Sequence, residues 1–177
     1  MLMGANDFAA RGIPPGENAR VRFQKLIERP RVPLQAVEQA AAEVDGFTET
    51  PFSFQAEAGE RVPGLLVAAT RATGPRPVVI VLHGTGGSKQ SMRPMLRKLA
   101  AKGFLGVAID GRFAGERAGG AKGSEAYRAA ILETWRTGRG FPLFYDTVWD
   151  VARLVDYLET RPDVDTQRIG AIGFSKG

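Results

Sequence analysis

Along the chain the apolar positions change their spacing, and each change marks a predicted element. Residues 1–50 read as an N-terminal helical extension. Its first stretch is punctuated by Gly12, Pro14, Pro15 and Gly16, which predicts a loop. Short helices are expected over residues 21–29 and 34–44. In the second, Leu34, Val37, Ala41 and Val44 recur at helical spacing just after Pro33. From Pro51 the period shortens to two. Phe52, Phe54 and Ala56 alternate with polar residues, and Val62 and residues 65–69 continue the pattern across a turn containing Gly59, which predicts a β-hairpin. The run Val78-Val79-Ile80-Val81-Leu82 has strand length and no polar face, as in a strand covered on both sides.

A helix is expected from about Ser91, with Met92, Met95, Leu96, Leu99 and Ala100 on one face and Gly103 at its end. Residues 104–110 form a second apolar strand. A loop containing Gly111, Gly115, Gly119, Gly120 and Gly123 then leads to predicted helices over Glu125–Thr137 and residues 147–160. In the latter, Val148, Val151, Ala152, Val155 and Leu158 are expected to face inward, and Pro162 follows its end. Residues 168–173 are a third strand of buried type. The order predicts an α/β fold in which an N-terminal hairpin leads into a mostly parallel sheet flanked by helices. Residues 51–177 would make up that domain, and no segment repeats.

Composition narrows the chemistry. A length of 177 residues with 44% hydrophobic content supports a buried core, and a net charge of +5 is too modest for chain-wide disorder. Cysteine is absent, which excludes disulfides, thiolate metal sites and a cysteine nucleophile. The single histidine, His83, rules out a His-rich metal cluster and leaves one imidazole. No cofactor or metal is expected. Cations are scattered rather than gathered on one stretch, so a nucleic-acid partner is not expected. Residues 1–7 lack the basic-then-apolar pattern of a secretory signal, and no apolar run approaches the ~20 residues that span a bilayer. The expectation is a cytoplasmic protein with no membrane partner.

Two strand ends carry candidate chemistry. Gly173-Phe174-Ser175-Lys176-Gly177 matches Gly-x-Ser-x-Gly directly after a predicted strand. Such a turn must be sharp for the serine to project above the sheet, and flanking glycines relieve crowding against neighbouring backbone. His83-Gly84-Thr85-Gly86-Gly87-Ser88-Lys89 lies at the end of the earlier strand and before the Ser91 helix. Small residues there leave backbone N–H groups free near a helix N-terminus, where a developing oxyanion can be held. The segment fails the phosphate-loop pattern, because no serine or threonine follows Lys89. It also lacks the third glycine of a dinucleotide fingerprint, where Lys89 stands.

His-Gly-x-Gly-Gly after one strand, with Gly-x-Ser-x-Gly after another some 90 residues later, resembles the α/β-hydrolase superfamily. Ala108-Ile109-Asp110-Gly111-Arg112, Gly115-Glu116-Arg117 and Tyr145-Asp146-Thr147-Val148-Trp149-Asp150 look like its dienelactone-hydrolase and acetyl-xylan-esterase branch. The resemblance covers residues 50–177. It implies a serine esterase acting on a small-molecule carboxylic ester through an acyl-enzyme. Ser175 would be the nucleophile, and the backbone N–H groups of Lys176 and Thr85 the oxyanion donors, with Gly86 replacing Thr85 if the loop is shifted by one. A lysine at 176 departs from the small or apolar residue expected there, and its side chain would need an outlet to solvent.

Nucleophilic serine needs a base and a carboxylate to orient it, in the order Ser, Asp/Glu, His for this fold. Neither follows Ser175 within these residues. His83 reads as a packing residue whose ring shapes its loop, and Asp110, Asp146 and Asp150 as loop-bracing or helix-capping groups. The expectation is the N-terminal portion of a serine hydrolase, ending at the nucleophile elbow. A serine peptidase of the related type and a non-catalytic fragment or scaffold remain as alternatives.

Overall fold

The computed structural model of the chain describes residues 18–121, 124–138 and 143–177. The loop predicted around Gly12, Pro14, Pro15 and Gly16 lies outside them, as does Gly123. The first helix, α1 (Ala19–Ile27), starts where the Asn18 side chain accepts the Arg20 N–H at 2.9 Å. It ends two residues before the predicted limit, at an extended Glu28.

The helix expected over residues 34–44 does not form. That segment is extended and carries β1 (Val37–Glu38) and β2 (Ala42–Val44), both antiparallel to β3 (Phe47–Glu57). The reason lies in the partners offered by β3. Gln39 N–H donates to Pro51 O at 2.9 Å and Gln55 N–H to Leu34 O at 2.7 Å, so the backbone finds its hydrogen bonds at a sheet edge. Of the four helically spaced apolar residues only Leu34 packs on the core; Val37 and Val44 are exposed.

The hairpin forms as the alternation predicts. β3 pairs with β4 (Glu60–Ala69) around Gly59, whose φ of +81° suits glycine. β4 continues antiparallel to β6 (Leu105–Ile109), while β6, β5 (Arg76–Leu82) and β7 (Val164–Gly173) run parallel. The order across the sheet is β1-β3-β4-β6-β5-β7, with β2 also on β3. Helix α2 (Arg93–Ala100), entered through a 3₁₀ turn at Gln90–Met92, links β5 to β6. Helices α3 (Glu125–Thr137) and α4 (Leu143–Glu159) lie between β6 and β7.

Helices cover the two faces. Leu96 and Ala100 of α2 pack on Leu65, Val67, Val81 and Ala108. That approach depends on Gly106, where a Cβ would lie 3.1 Å from Leu96 Cα. On the other face Trp149, Leu154, Tyr157 and Leu158 of α4 meet Phe52, Phe54, Ile80 and Val107. Of the inward face expected for α4, Leu158 is buried and Val151, Ala152 and Val155 pack against the core, but the fully buried face is centred elsewhere. It runs through Asp146, Trp149, Asp150, Arg153, Leu154, Tyr157 and Leu158, while Val148 is exposed. Three of those inward positions are charged, so a purely apolar reading rotates the helix. Among the described residues no helix is long and apolar enough to cross a membrane.

β7 also departs from expectation. Only Val164 is buried along it, and Ala171 and Ile172 are exposed. It is the outermost strand beyond β5, and among the described residues nothing pairs with its other edge. Open apolar edges template association. Placing a charge there, as Ile172→Lys, is expected to reduce concentration-dependent self-association in size-exclusion chromatography. Unchanged elution would put the associating surface elsewhere.

Candidate active site at the carboxyl ends of the parallel strands

The turn after β7 is built by its backbone. Phe174 N–H donates to Leu82 O at 3.1 Å, fixing the turn to the end of β5, and Gly177 N–H donates to Phe174 O at 3.0 Å. Ser175 takes φ +56°, a left-handed conformation that costs a non-glycine residue about 1–3 kcal/mol and persists only where surroundings enforce it. Both flanking glycines are sterically required. A Cβ at Gly173 would sit 2.1 Å from the Gly177 carbonyl carbon, and one at Gly177 would sit 2.6 Å from Leu82 O. Ser175 is exposed on this turn.

The loop after β5 abuts it. A Cβ on Gly84 would lie 3.2 Å from Phe174 O and 3.3 Å from Ser175 Cβ, so any side chain there would push the two loops apart by a few tenths of an ångström. Gly87 N–H closes a turn on Gly84 O at 3.1 Å, which leaves Thr85 and Gly86 exposed at its tip with Gly86 at φ +78°. At its far end Ser91 Oγ accepts the Ser88 N–H at 3.0 Å. The structure thus brings the two predicted motifs together.

His83 is buried with both ring nitrogens engaged. Gly111 N–H donates to Nε2 at 3.1 Å, so the ring proton sits on Nδ1, which donates to Gly84 O at 2.8 Å. Burial, reinforced by the Lys176 charge, lowers its pKa against the opposing pull of its bond to Gly84 and of Asp110. It is a neutral brace between the loops that follow β5 and β6.

Asp110, fully buried at the end of β6, braces the same pair of loops. It accepts the Lys89 N–H and the Lys89 ammonium, each at 2.8 Å, and the Glu116 N–H at 3.0 Å. Gly115 is left-handed and lies against that carboxylate, where a Cβ would be only 2.3 Å away. Next to it runs a chain of ion pairs. Arg117 joins Asp150 at 2.7 Å to Glu60 at 3.0 Å; Arg112 joins Asp150 to Glu57; and Arg29 joins Glu57 at 2.6 Å to Asp146. Burial alone would raise the Glu57 carboxyl, but Arg112 and Arg29 hold it below its usual range, whereas for Asp146 burial prevails and its pKa rises. Reading the sequence placed Asp110, Asp146 and Asp150 as braces. It missed Lys89, Arg29, Arg112 and Arg117, because a lone cation carries no local sign of burial.

Lys176 was expected to seek solvent. Instead its ammonium lies 3.9 Å from the centroid of the Tyr127 ring on α3, and burial lowers its pKa. Lys176, Tyr127, His83, Gly111, Phe144 and Thr147 line a small recess of about 20 Å³ beside the turn that bears Ser175.

A strand-borne serine turn beside a glycine loop, at the carboxyl ends of parallel strands in a helix-flanked sheet, defines an α/β-hydrolase architecture. Residues 62–177 match the family model described as dienelactone hydrolase family, and the chain belongs to that family. It is 29% identical over 131 residues to YtaP of Bacillus subtilis (strain 168), an alignment covering 67% of this chain and 42% of that protein. Its fold is similar to acetyl xylan esterase 1 from Thermoanaerobacterium sp. JW/SL YS485, with a TM-score of 0.67 at 23% identity over 89% of this chain and 49% of the other. It is also similar to an acetyl xylan esterase from Paenibacillus sp. R4, with a TM-score of 0.60 at 19% identity over 86% and 49%. The chain spans about half the length of these relatives.

Two measurements test the braces. Breaking a buried ion pair from one side costs about 3–5 kcal/mol, since the other charge is stranded, while replacing both partners is much milder. Lys89→Met alone is therefore expected to lower urea-unfolding stability more than Lys89→Met combined with Asp110→Asn, which removes the stranded charge but keeps an acceptor for the Lys89 N–H. Equal or greater loss in the double variant would show that the backbone bonds to Asp110, not the ion pair, carry the brace. For His83 the folded pKa lies below the ordinary 6.5, so the unfolded chain binds the proton first. Its contribution is present above pH 6.5 and is lost as pH falls towards the folded value, by at most ~1.4 kcal/mol per pH unit. His83→Gln should flatten that acid limb in urea melts, and an unaltered limb would assign it to other groups.

Proposed function

We propose that the protein is a serine hydrolase of carboxylic esters. The observation that carries this reading is the left-handed Ser175, held between two glycines that no larger residue can replace. Such strain has no structural return of its own, and it lifts the hydroxyl clear of the sheet. Ser175 Oγ attacks the acyl carbon, its proton passes to a base, and the alkoxide departs as the alcohol to leave an acyl-enzyme. Water then releases the acid and restores the serine.

The carbonyl oxygen becomes an anion between two backbone donors, the N–H of Lys176 and that of Thr85, with Gly86 in its place if the loop shifts. The close approach of Gly84 to Phe174 and Ser175 supports this role for the residue that follows it. His83 is not the base, because Gly111 and Gly84 occupy both its nitrogens. The chain spans about half of its relatives' length, and we assign the base and its carboxylate to sequence beyond residue 177. Membership of the dienelactone hydrolase family and likeness to acetyl xylan esterases favour a small ester substrate.

In the natural full-length protein a fluorophosphonate should label Ser175, and Ser175→Ala should abolish labelling and ester turnover together. Turnover surviving that change would refute the assignment. Thr85→Pro removes one oxyanion donor and should slow turnover about 10²–10³-fold with the fold retained. An unaffected rate would transfer the role to Gly86.

A further inference from the structure

The face of β3 that carries Phe52 and Phe54 under α4 continues towards the amino ends of the parallel strands as Thr50 and Thr48. Opposite these two on β4 stand Leu66 and Ala68. Helix α4 stops at Glu159, and the chain passes through Arg161 and Asp163 into β7. No helix therefore covers this end of the sheet face, and a cavity of about 230 Å³ opens there, lined by Thr48, Thr50, Thr70, Arg76, Arg161 and Asp163 among others. That is many times the space one water molecule needs. Arg76 begins β5, and the length of that strand, at about 3.3 Å per residue, sets the cavity roughly 20 Å from the glycine loop and the Ser175 turn. It is no part of the proposed active site.

Its hydrogen-bonding groups are unevenly matched. The lining holds two guanidinium groups and one carboxylate. Asp163 is already taken, since Arg161 Nε donates to one of its oxygens at 2.9 Å and Arg161 Nη2 and Arg76 Nη2 donate to the other. Burial pushes the Asp163 carboxyl up, but Arg161 and Arg76 hold it below its ordinary value, so it stays an ionised partner of the arginines. Arg161 gives Nη1 to Glu38 and to the Tyr157 hydroxyl. Arg76 has a donor to spare: among the described residues its Nε–H is buried and meets no acceptor. Such a donor bears the full cost of its lost hydration until an acceptor arrives. The Thr48 and Thr70 hydroxyls lie 3.3 Å apart, and Thr50 adds a third.

We infer that this cavity binds a phosphate group, free or carried on a small molecule. Its donors come from three directions: Thr48 and Thr50 from β3, Thr70 from the end of β4 and Arg76 from the start of β5. A planar carboxylate offers two oxygens in one plane, whereas a tetrahedral phosphate offers three or four around its centre and can meet donors so arranged. The guanidinium supplies the charge and the hydroxyls the remaining bonds.

The test is calorimetric titration of the natural full-length protein at low ionic strength with inorganic phosphate, with glycerol 3-phosphate and with acetate. Saturable binding of at least one phosphate species is expected, and the tighter of the two identifies whether the group is free or carried. Acetate should bind at least tenfold more weakly, and equal binding by acetate overturns the assignment. Arg76→Met should weaken phosphate binding about tenfold or more, as loss of a charge-assisted hydrogen bond does, and Thr50→Val several-fold. Thr50→Val keeps the side-chain shape, so it decides the matter if Arg76→Met fails to fold. Ser175→Ala should bind phosphate unchanged; loss of binding there would move the ion to the other end of the sheet and overturn the inference. Absence of saturable phosphate binding, or binding unaltered in Thr50→Val, overturns it as well. None of these outcomes bears on the role of Ser175 in ester hydrolysis.

Discussion

Lys89 and Asp110 are almost wholly withdrawn from water, and either charge alone would be expensive to keep there. Each belongs to a different strand end: Lys89 closes the glycine loop after β5, and Asp110 opens the loop after β6. Their ion pair, with the Lys89 and Glu116 backbone donors on the same carboxylate, makes one rigid unit of two segments with little apolar content of their own. His83 adds a neutral strut between the same segments. The placing of Gly84 against Ser175 depends on that unit, because a loop of small residues has no side chains with which to hold its own shape.

The arginine–carboxylate chain extends this rigidity outward. Arg29 follows α1, Glu57 and Glu60 flank the hairpin turn, Arg112 and Arg117 lie in the loop after β6, and Asp146 and Asp150 project from α4. Four separate elements therefore meet through charges rather than methyl groups. Fork-shaped guanidinium groups suit such a junction, since each can hold carboxylates from two directions at once. The arrangement carries the N-terminal segment to the same end of the sheet as the Ser175 turn.

Much of the fold was legible because its signals are local. Strands β5 and β6 read from unbroken apolar runs, the β3–β4 hairpin from its alternation and Gly59, and α3 at its observed limits. The two site motifs were legible for the same reason: their glycines answer to steric crowding within a few residues. Where reading failed, the deciding partner was remote. Residues 34–44 have helical spacing, but β3 supplies hydrogen bonds that a helix would forgo. The inward face of α4 includes Asp146, Asp150 and Arg153, which hydrophobic spacing assigns to solvent.

The sequence by itself determined the order of elements, the sharp serine turn and the glycine loop, because backbone sterics and residue periodicity act over a few positions. Tertiary structure decided which charges are buried and with whom. Arg29 meets Asp146 across 117 residues and Lys89 meets Asp110 across 21, and neither separation leaves a trace in local pattern. It also decided that Lys176 turns towards Tyr127, since the ring that receives its charge lies 49 residues earlier in the chain and meets it only through the fold.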